Sequence, residues 1–92
     1  MPLEFRGLAL MDPRQTMVRF AGYPVAKRSL GVVICQVSAE TLRALAGAPL
    51  HSEEEFMSTF EKHRSRIFYA ASAKFDEGKH RPSVGIDDLR VL

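Results

Sequence analysis

Apolar residues in the first third of the chain fall in short runs separated by polar punctuation, which is the pattern of strands. Leu8 to Met11 is one such run, closed by Asp12-Pro13-Arg14-Gln15. Asp at the first position and Pro at the second suit a type I turn, because Pro fixes φ and the Asp carboxylate accepts a nearby backbone N–H. Thr16 to Ala21 then alternates, with Thr16, Val18 and Phe20 on one face and Met17 and Arg19 on the other. Gly22, Pro24 and the Ala26-Lys27-Arg28-Ser29 run form a basic loop, and Leu30 to Val37 follows as the strongest strand. Short connections of this kind favour an antiparallel meander.

The strand Leu30 to Val37 is apolar on both faces. Val33, Cys35 and Val37 share one, and Leu30, Val32 and Ile34 share the other. Such a strand needs cover on both sides. Helices in a short chain supply one layer, so the second must come from the N-terminal segment folding over or from a partner subunit.

After the strands the period changes from two to about 3.6. Ser38 is a candidate N-cap for a short helix over Ala39 to Ala46, stopped by Gly47 and Pro49, with Leu42 and Leu45 pointing inward. Ser52-Glu53-Glu54-Glu55 reads as a capping box, and three early carboxylates suit the positive end of a helix. The helix it opens runs to about Glu77, with Gly78 as the expected left-handed stop, and spans roughly 37 Å at ~1.5 Å per residue. Lys79 to Pro82 is a basic connector, Ser83 to Ile86 adds a last strand, and Asp87-Asp88-Leu89 closes the chain as a turn.

Advancing about 100° per residue sorts the long helix into faces. Phe56, Phe60, Ile67 and Ala71 cluster within about 60°, and Met57, Phe68 and Phe75 widen the stripe to about 120°. Lys62, Arg66 and Tyr69 point the other way, the mixture of charge and ring that grips nucleic acid and also that of a solvated face. Arg64 falls inside the apolar arc. A guanidinium there needs a carboxylate, for which Asp87, Asp88 or Asp12 are candidates, or it lays its stem on Phe60 and Phe68 and reaches water. Its third role is to hold an anion or small ligand.

Composition narrows the function classes. Ninety-two residues support one core, so residues 1–92 are read as a single domain. A hydrophobic share of 46% against 26% charged excludes a disordered chain. Thirteen Lys and Arg against eleven Asp and Glu make the protein mildly basic, so a nucleic-acid face would have to arise by segregation. Cys35 is the one cysteine, which rules out an internal disulfide and fits a reducing cytosol. No stretch approaches the ~20 apolar residues of a membrane span.

Catalytic signals are weak. Cys35 sits mid-strand among Val and Ile, the setting of a packed thiol. His51, His63 and His80 are too widely spaced for a zinc pair, and the phosphate-binding and nucleophile-elbow motifs do not occur. No cofactor is expected.

The order MVRFAG, VVICQVSAETLRAL, EEFMSTFEKHRSRIFYAASAKFDEG and SVGIDDL resembles the small bacterial family catalogued as domain of unknown function 1488. The positions carrying the resemblance are Val18 and Phe20, Cys35 and Ser38, then Phe60, Arg64, Ile67 and Ala71, and finally Ile86 and Asp88. It implies a compact, freestanding α+β domain with no assigned activity and no catalytic residues to carry over. The residues themselves predict an α+β fold: an antiparallel sheet of three or four strands with one short and one long helix packed on one face. The expected function is a non-catalytic binding or regulatory module, with self-association through the doubly apolar strand. The alternatives are a nucleic-acid-binding regulator and, more weakly, a small enzyme or anion-binding protein centred on Arg64.

Overall fold

In the computed structural model, residues 2–26 and 31–90 are described. The basic loop Lys27 to Ser29, and Leu30 of the third predicted strand, lie outside the described residues. Among the described residues, five strands and four helices follow in the order β1 (Leu3–Phe5), β2 (Leu10–Met11), β3 (Met17–Pro24), β4 (Val33–Ser38), α1 (Ala39–Ala46), α2 (Glu53–Lys62), α3 (Arg64–Asp76), β5 (Ser83–Val84) and α4 (Ile86–Arg90).

The sheet is mostly antiparallel. β3 is its axis, paired with β4 on one edge and with both β1 and β2 on the other. Asp12 builds the β2–β3 turn as expected. Its carboxylate accepts the Thr16 N–H at 2.6 Å, the Thr16 hydroxyl at 2.6 Å and the Met17 N–H at 3.1 Å. The Thr16 hydroxyl bond, followed by the two backbone N–H bonds, holds this carboxyl below its ordinary pKa.

Two strand expectations need correction. β1 adds a strand where the sequence had offered none, because three residues with Glu4 at their centre carry too little pattern to declare one. β5 pairs parallel to β4, so the sheet is not a pure meander. Three helices lie between the two strands and return the chain to the end from which β4 started, as a parallel neighbour requires.

Helix caps follow the sequence closely. Ser38 accepts the Thr41 N–H at 3.1 Å, and Gly47 takes φ +66° to close α1 on the Arg43 carbonyl at 3.0 Å. Ser52 and Glu55 form the reciprocal capping box, both bonds at 3.2 Å. At the far end Gly78 has φ +97°, and N–H bonds from Gly78 to Phe75 and from Lys79 to Lys74 complete a Schellman stop.

The long helix is not continuous. It breaks at His63, whose φ of −108° and ψ of 15° leave helical space. Neither Pro nor Gly sits there. The two halves serve different neighbours: α2 packs on α1 and β2, while α3 packs on β1, β5 and α4. The chain end also departs from expectation, since Ile86–Arg90 is a helical turn rather than the end of a strand and a loop. Gly85 donates its N–H to Asp88 at 2.7 Å, the reach-back bond of a helix start.

Val18, Phe20, Val33, Cys35 and Val37 from the sheet meet Leu42, Phe56, Phe60, Ile67 and Ala71 from the helices in one core, which Leu3, Val84 and Leu89 close. The molecule measures 39 × 28 × 18 Å. The short dimension accommodates one sheet and one helical layer, at the ~10 Å spacing of packed layers.

Candidate functional site: the open sheet face

Alternation along β3 and β4 sends one set of side chains to the helices and the other set outward. Outward residues form rows across the sheet, because directly paired residues share a face. Leu10, Arg19, Gln36 and Ser83 make one row, tied at its end by the Gln36 amide donating to the Ser83 hydroxyl at 3.4 Å. Ala21 and Ile34 make the next, and Glu4 and Tyr23 the one beyond. Val32 extends the apolar centre just before β4.

Cover on this face is incomplete. Val32 is 48% exposed and Ile34 40%, while Val33, Cys35 and Val37 on the other side of the same strand are buried. The N-terminal segment was one of the two expected covers. It joins the sheet edge as β1 and β2 instead of crossing the face, because its backbone groups find ladder partners on β3. Leu8 and Leu10 are left exposed beside the face, and with Arg19, Ala21 and Ile34 they line a shallow groove of about 420 Å³.

Cys35 points into the core from the covered side. Its thiol lies 3.8 Å from the Val33 carbonyl, and burial pushes its pKa up to about 12, so it stays protonated at neutral pH. Among the described residues no three His, Cys, Asp or Glu side chains gather as a metal site. No described helix is long and apolar enough to cross a membrane.

The helix break at His63 changes the partners of Arg64 more than it changes which charged residues face outward. Arg64 was expected either to pair with Asp87, Asp88 or Asp12 or to lie along Phe60 and Phe68 and reach water. Its exposed side chain beside both rings follows the second course. It pairs with Glu61 at 3.2 Å, and both side chains are more than half exposed. The break at His63 makes Arg64 the first residue of α3, at the edge of a buried arc running through Ile67, Ala70 and Ala71. Asp88 serves Gly85 and Lys74 instead, the latter at 3.3 Å. Asp87 lies in the first turn of α4 and is exposed.

Lys62, Arg66 and Tyr69 are all exposed, as the wheel places them. Arg66 donates one guanidinium N–H to the Leu89 carbonyl at 3.0 Å, which anchors α4 to α3. Lys62 and Arg66 flank His63, and partial burial followed by these two cations holds its imidazole below the ordinary value.

A family model described as protein of unknown function (DUF1488) matches residues 3–86, nearly the whole chain. The chain belongs to this family. No curated protein matches it. Among solved structures it is similar to a DUF1488 protein of unknown function from Shewanella loihica PV-4, with a TM-score of 0.77 and 18% identity over 90% of this chain and 91% of that one. At that identity the likeness carries the fold. The DUF1488 assignment agrees with the resemblance read from the ordered motifs, and the two-layer arrangement is thus shared with a crystal structure in the same family.

The residues of the open face were half legible. The doubly apolar third strand pointed to Val32 and Ile34. Leu8, Leu10, Ala21 and Tyr23 were not assigned to it, because strand register between distant segments decides which faces coincide.

Proposed function

We propose that the protein is a non-catalytic interaction module whose open sheet face is the contact surface and whose first partner is a second copy of itself. The observation that carries this reading is the exposure of Val32 and Ile34 in the middle of a sheet whose other face is packed against helices. Apolar strips of this kind on small soluble domains mark contact sites.

A second copy suits the strip because its two ends differ. One end carries Arg19 and the other Tyr23 with the Glu4–Arg6 ion pair. A two-fold axis along the Ala21–Ile34 row lays the Arg19 end of one copy over the Glu4 end of the other, so the same patch serves both subunits. Sheets stacked this way sit about 10 Å apart with their side chains interleaved. The buried thiol and the reducing conditions it tolerates fit a cytosolic setting. A nucleic-acid role for Lys62, Arg66 and Tyr69 has less support, since Arg66 spends part of its guanidinium on α4.

Sedimentation equilibrium over a wide concentration range tests the reading. A reversible dimer is expected, weakened by about tenfold or more in Ile34→Lys, which places a cation at the centre of the strip. A strict monomer at every concentration, or a dimer indifferent to Ile34→Lys, overturns it.

A further inference from the structure

Residues 6–9 leave the sheet between β1 and β2. Phe5 pairs with Gly22 and Leu10 with Arg19, so neither strand places a residue opposite Phe20 or Ala21. The gap opens into a cleft of about 160 Å³ between this edge of β3 and the α2–α3 junction. This cleft is separate from the centre of the open face, although Arg6 on its rim also pairs with Glu4 and lies over Tyr23 at one end of that face.

Four rings form its wall. Phe5 stacks on Phe68 with centroids 4.2 Å apart and planes 10° from parallel, Phe20 and Phe60 meet that pair at 5.5 to 6.0 Å, and they lie 5.4 Å from each other. Phe20 and Phe60 are buried, but Phe5 and Phe68 are only partly so. Apolar ring surface therefore remains at the mouth, where a flat apolar body gains by covering it.

The rim is charged. Arg6, Arg64 and Glu61 line it, two cations against one anion. Both guanidiniums are paired with exposed local carboxylates, Arg6 with Glu4 and Arg64 with Glu61, each at 3.2 Å. Arg6 also lies over the Tyr23 ring, 5.2 Å from its centroid. Exposed ion pairs of this kind are worth about 0–1 kcal/mol, so Arg64 can turn to an incoming anion at small cost, whereas Arg6 would also give up its Tyr23 contact. Guanidinium is also the group best matched to a carboxylate, which it holds by two parallel N–H bonds. The volume lies below the roughly 300 Å³ at which drug-sized ligand sites begin, which leaves room for one ring and its charged group.

We propose that this cleft binds a small aromatic carboxylate, with its ring against Phe5 and Phe68 and its carboxylate on Arg64. The two halves of the site demand both features together. A bare anion gains nothing from the rings, and a neutral ring leaves the Arg64 guanidinium with its surface partner.

The test is an amide NMR titration of the full chain with sodium benzoate at constant ionic strength, with benzamide and acetate as comparison probes. Saturable shifts confined to residues 5–9, 20–21 and 60–68 are expected, with a dissociation constant on the order of millimolar for so small a ligand. Benzamide and acetate should each bind about tenfold more weakly, and Arg64→Gln should weaken benzoate by about tenfold. Arg64 is exposed, so that variant keeps its fold, and an unchanged spectrum away from the cleft verifies this. Ile34→Lys should keep the benzoate shifts, so that loss of the dimer and loss of this site are told apart. Absence of saturable shifts at the cleft, equal binding of benzamide, or an unchanged affinity in Arg64→Gln overturns the proposal.

Discussion

His63 marks the point where the helical ladder is interrupted, and its chemistry follows from its neighbours. Partial burial, with Arg66 and Lys62 alongside, disfavours the imidazolium in the folded chain. In the unfolded chain the ring titrates near its ordinary value of about 6.5. Below that pH the unfolded state binds more protons than the native one, so stability falls with acidification until the folded ring also titrates. His63→Gln removes this linkage. Denaturation midpoints of parent and variant should therefore diverge in favour of the variant as pH drops from about 7.5 to about 5.5. A constant difference across that range would contradict the assignment. Single residues were legible where their chemistry is local. Ser38, Ser52 and Glu55 cap helices through backbone groups three residues away, so the sequence alone determines the bond. Arg64 was legible in part: its reach to water beside Phe60 and Phe68 was foreseen, but its partner Glu61 was not, since the wheel assumed an unbroken helix.

At the scale of elements, α4 depends on a few polar contacts. Asp88 accepts the Gly85 N–H at 2.7 Å and meets Lys74 of α3 at 3.3 Å, both side chains less than a third exposed. Asp88→Ala removes both and should cost about 1–2 kcal/mol, read from chemical denaturation. Asp88→Asn keeps an acceptor for Gly85 and should cost less. Equal losses in the two variants would assign the effect to the Lys74 pair. The same segment explains why the chain end was misread. Ser83 to Ile86 has the apolar content of a strand, but Gly85 and Asp88 start a helical turn after only Ser83 and Val84 have paired. β1 escaped notice for a related reason: its three residues become a strand only because Tyr23 and Gly22 lie opposite them.

Over the molecule as a whole, the two-layer build of the described residues leaves the sheet covered on one side. Burial of Val33, Cys35 and Val37 against the helices and exposure of Val32 and Ile34 opposite them are two results of one alternating pattern. The existence of an uncovered apolar face was therefore readable from the strand Leu30 to Val37. Its extent was not, since Leu8, Leu10 and Tyr23 reach it only through pairing with β3. The prediction for Ile34→Lys belongs here because it also separates fold from association. A solvent-facing Lys leaves the core intact, so the variant should unfold as cooperatively as the parent at concentrations where both are monomeric. A collapse of the monomer itself would mean that Ile34 supports the fold.

The parallel β5 strand has one more consequence. Gln36 and Ser83 stand 47 positions apart in sequence, and only two residues of β5 pair with β4. Closing so long a loop for so short a ladder gives little return for the chain entropy lost. The β4–β5 seam and α4 behind it should therefore form the least protected cooperative unit of the protein. In native-state hydrogen exchange, amides from Ser83 to Leu89 should exchange through openings that leave the β3–β4 ladder closed.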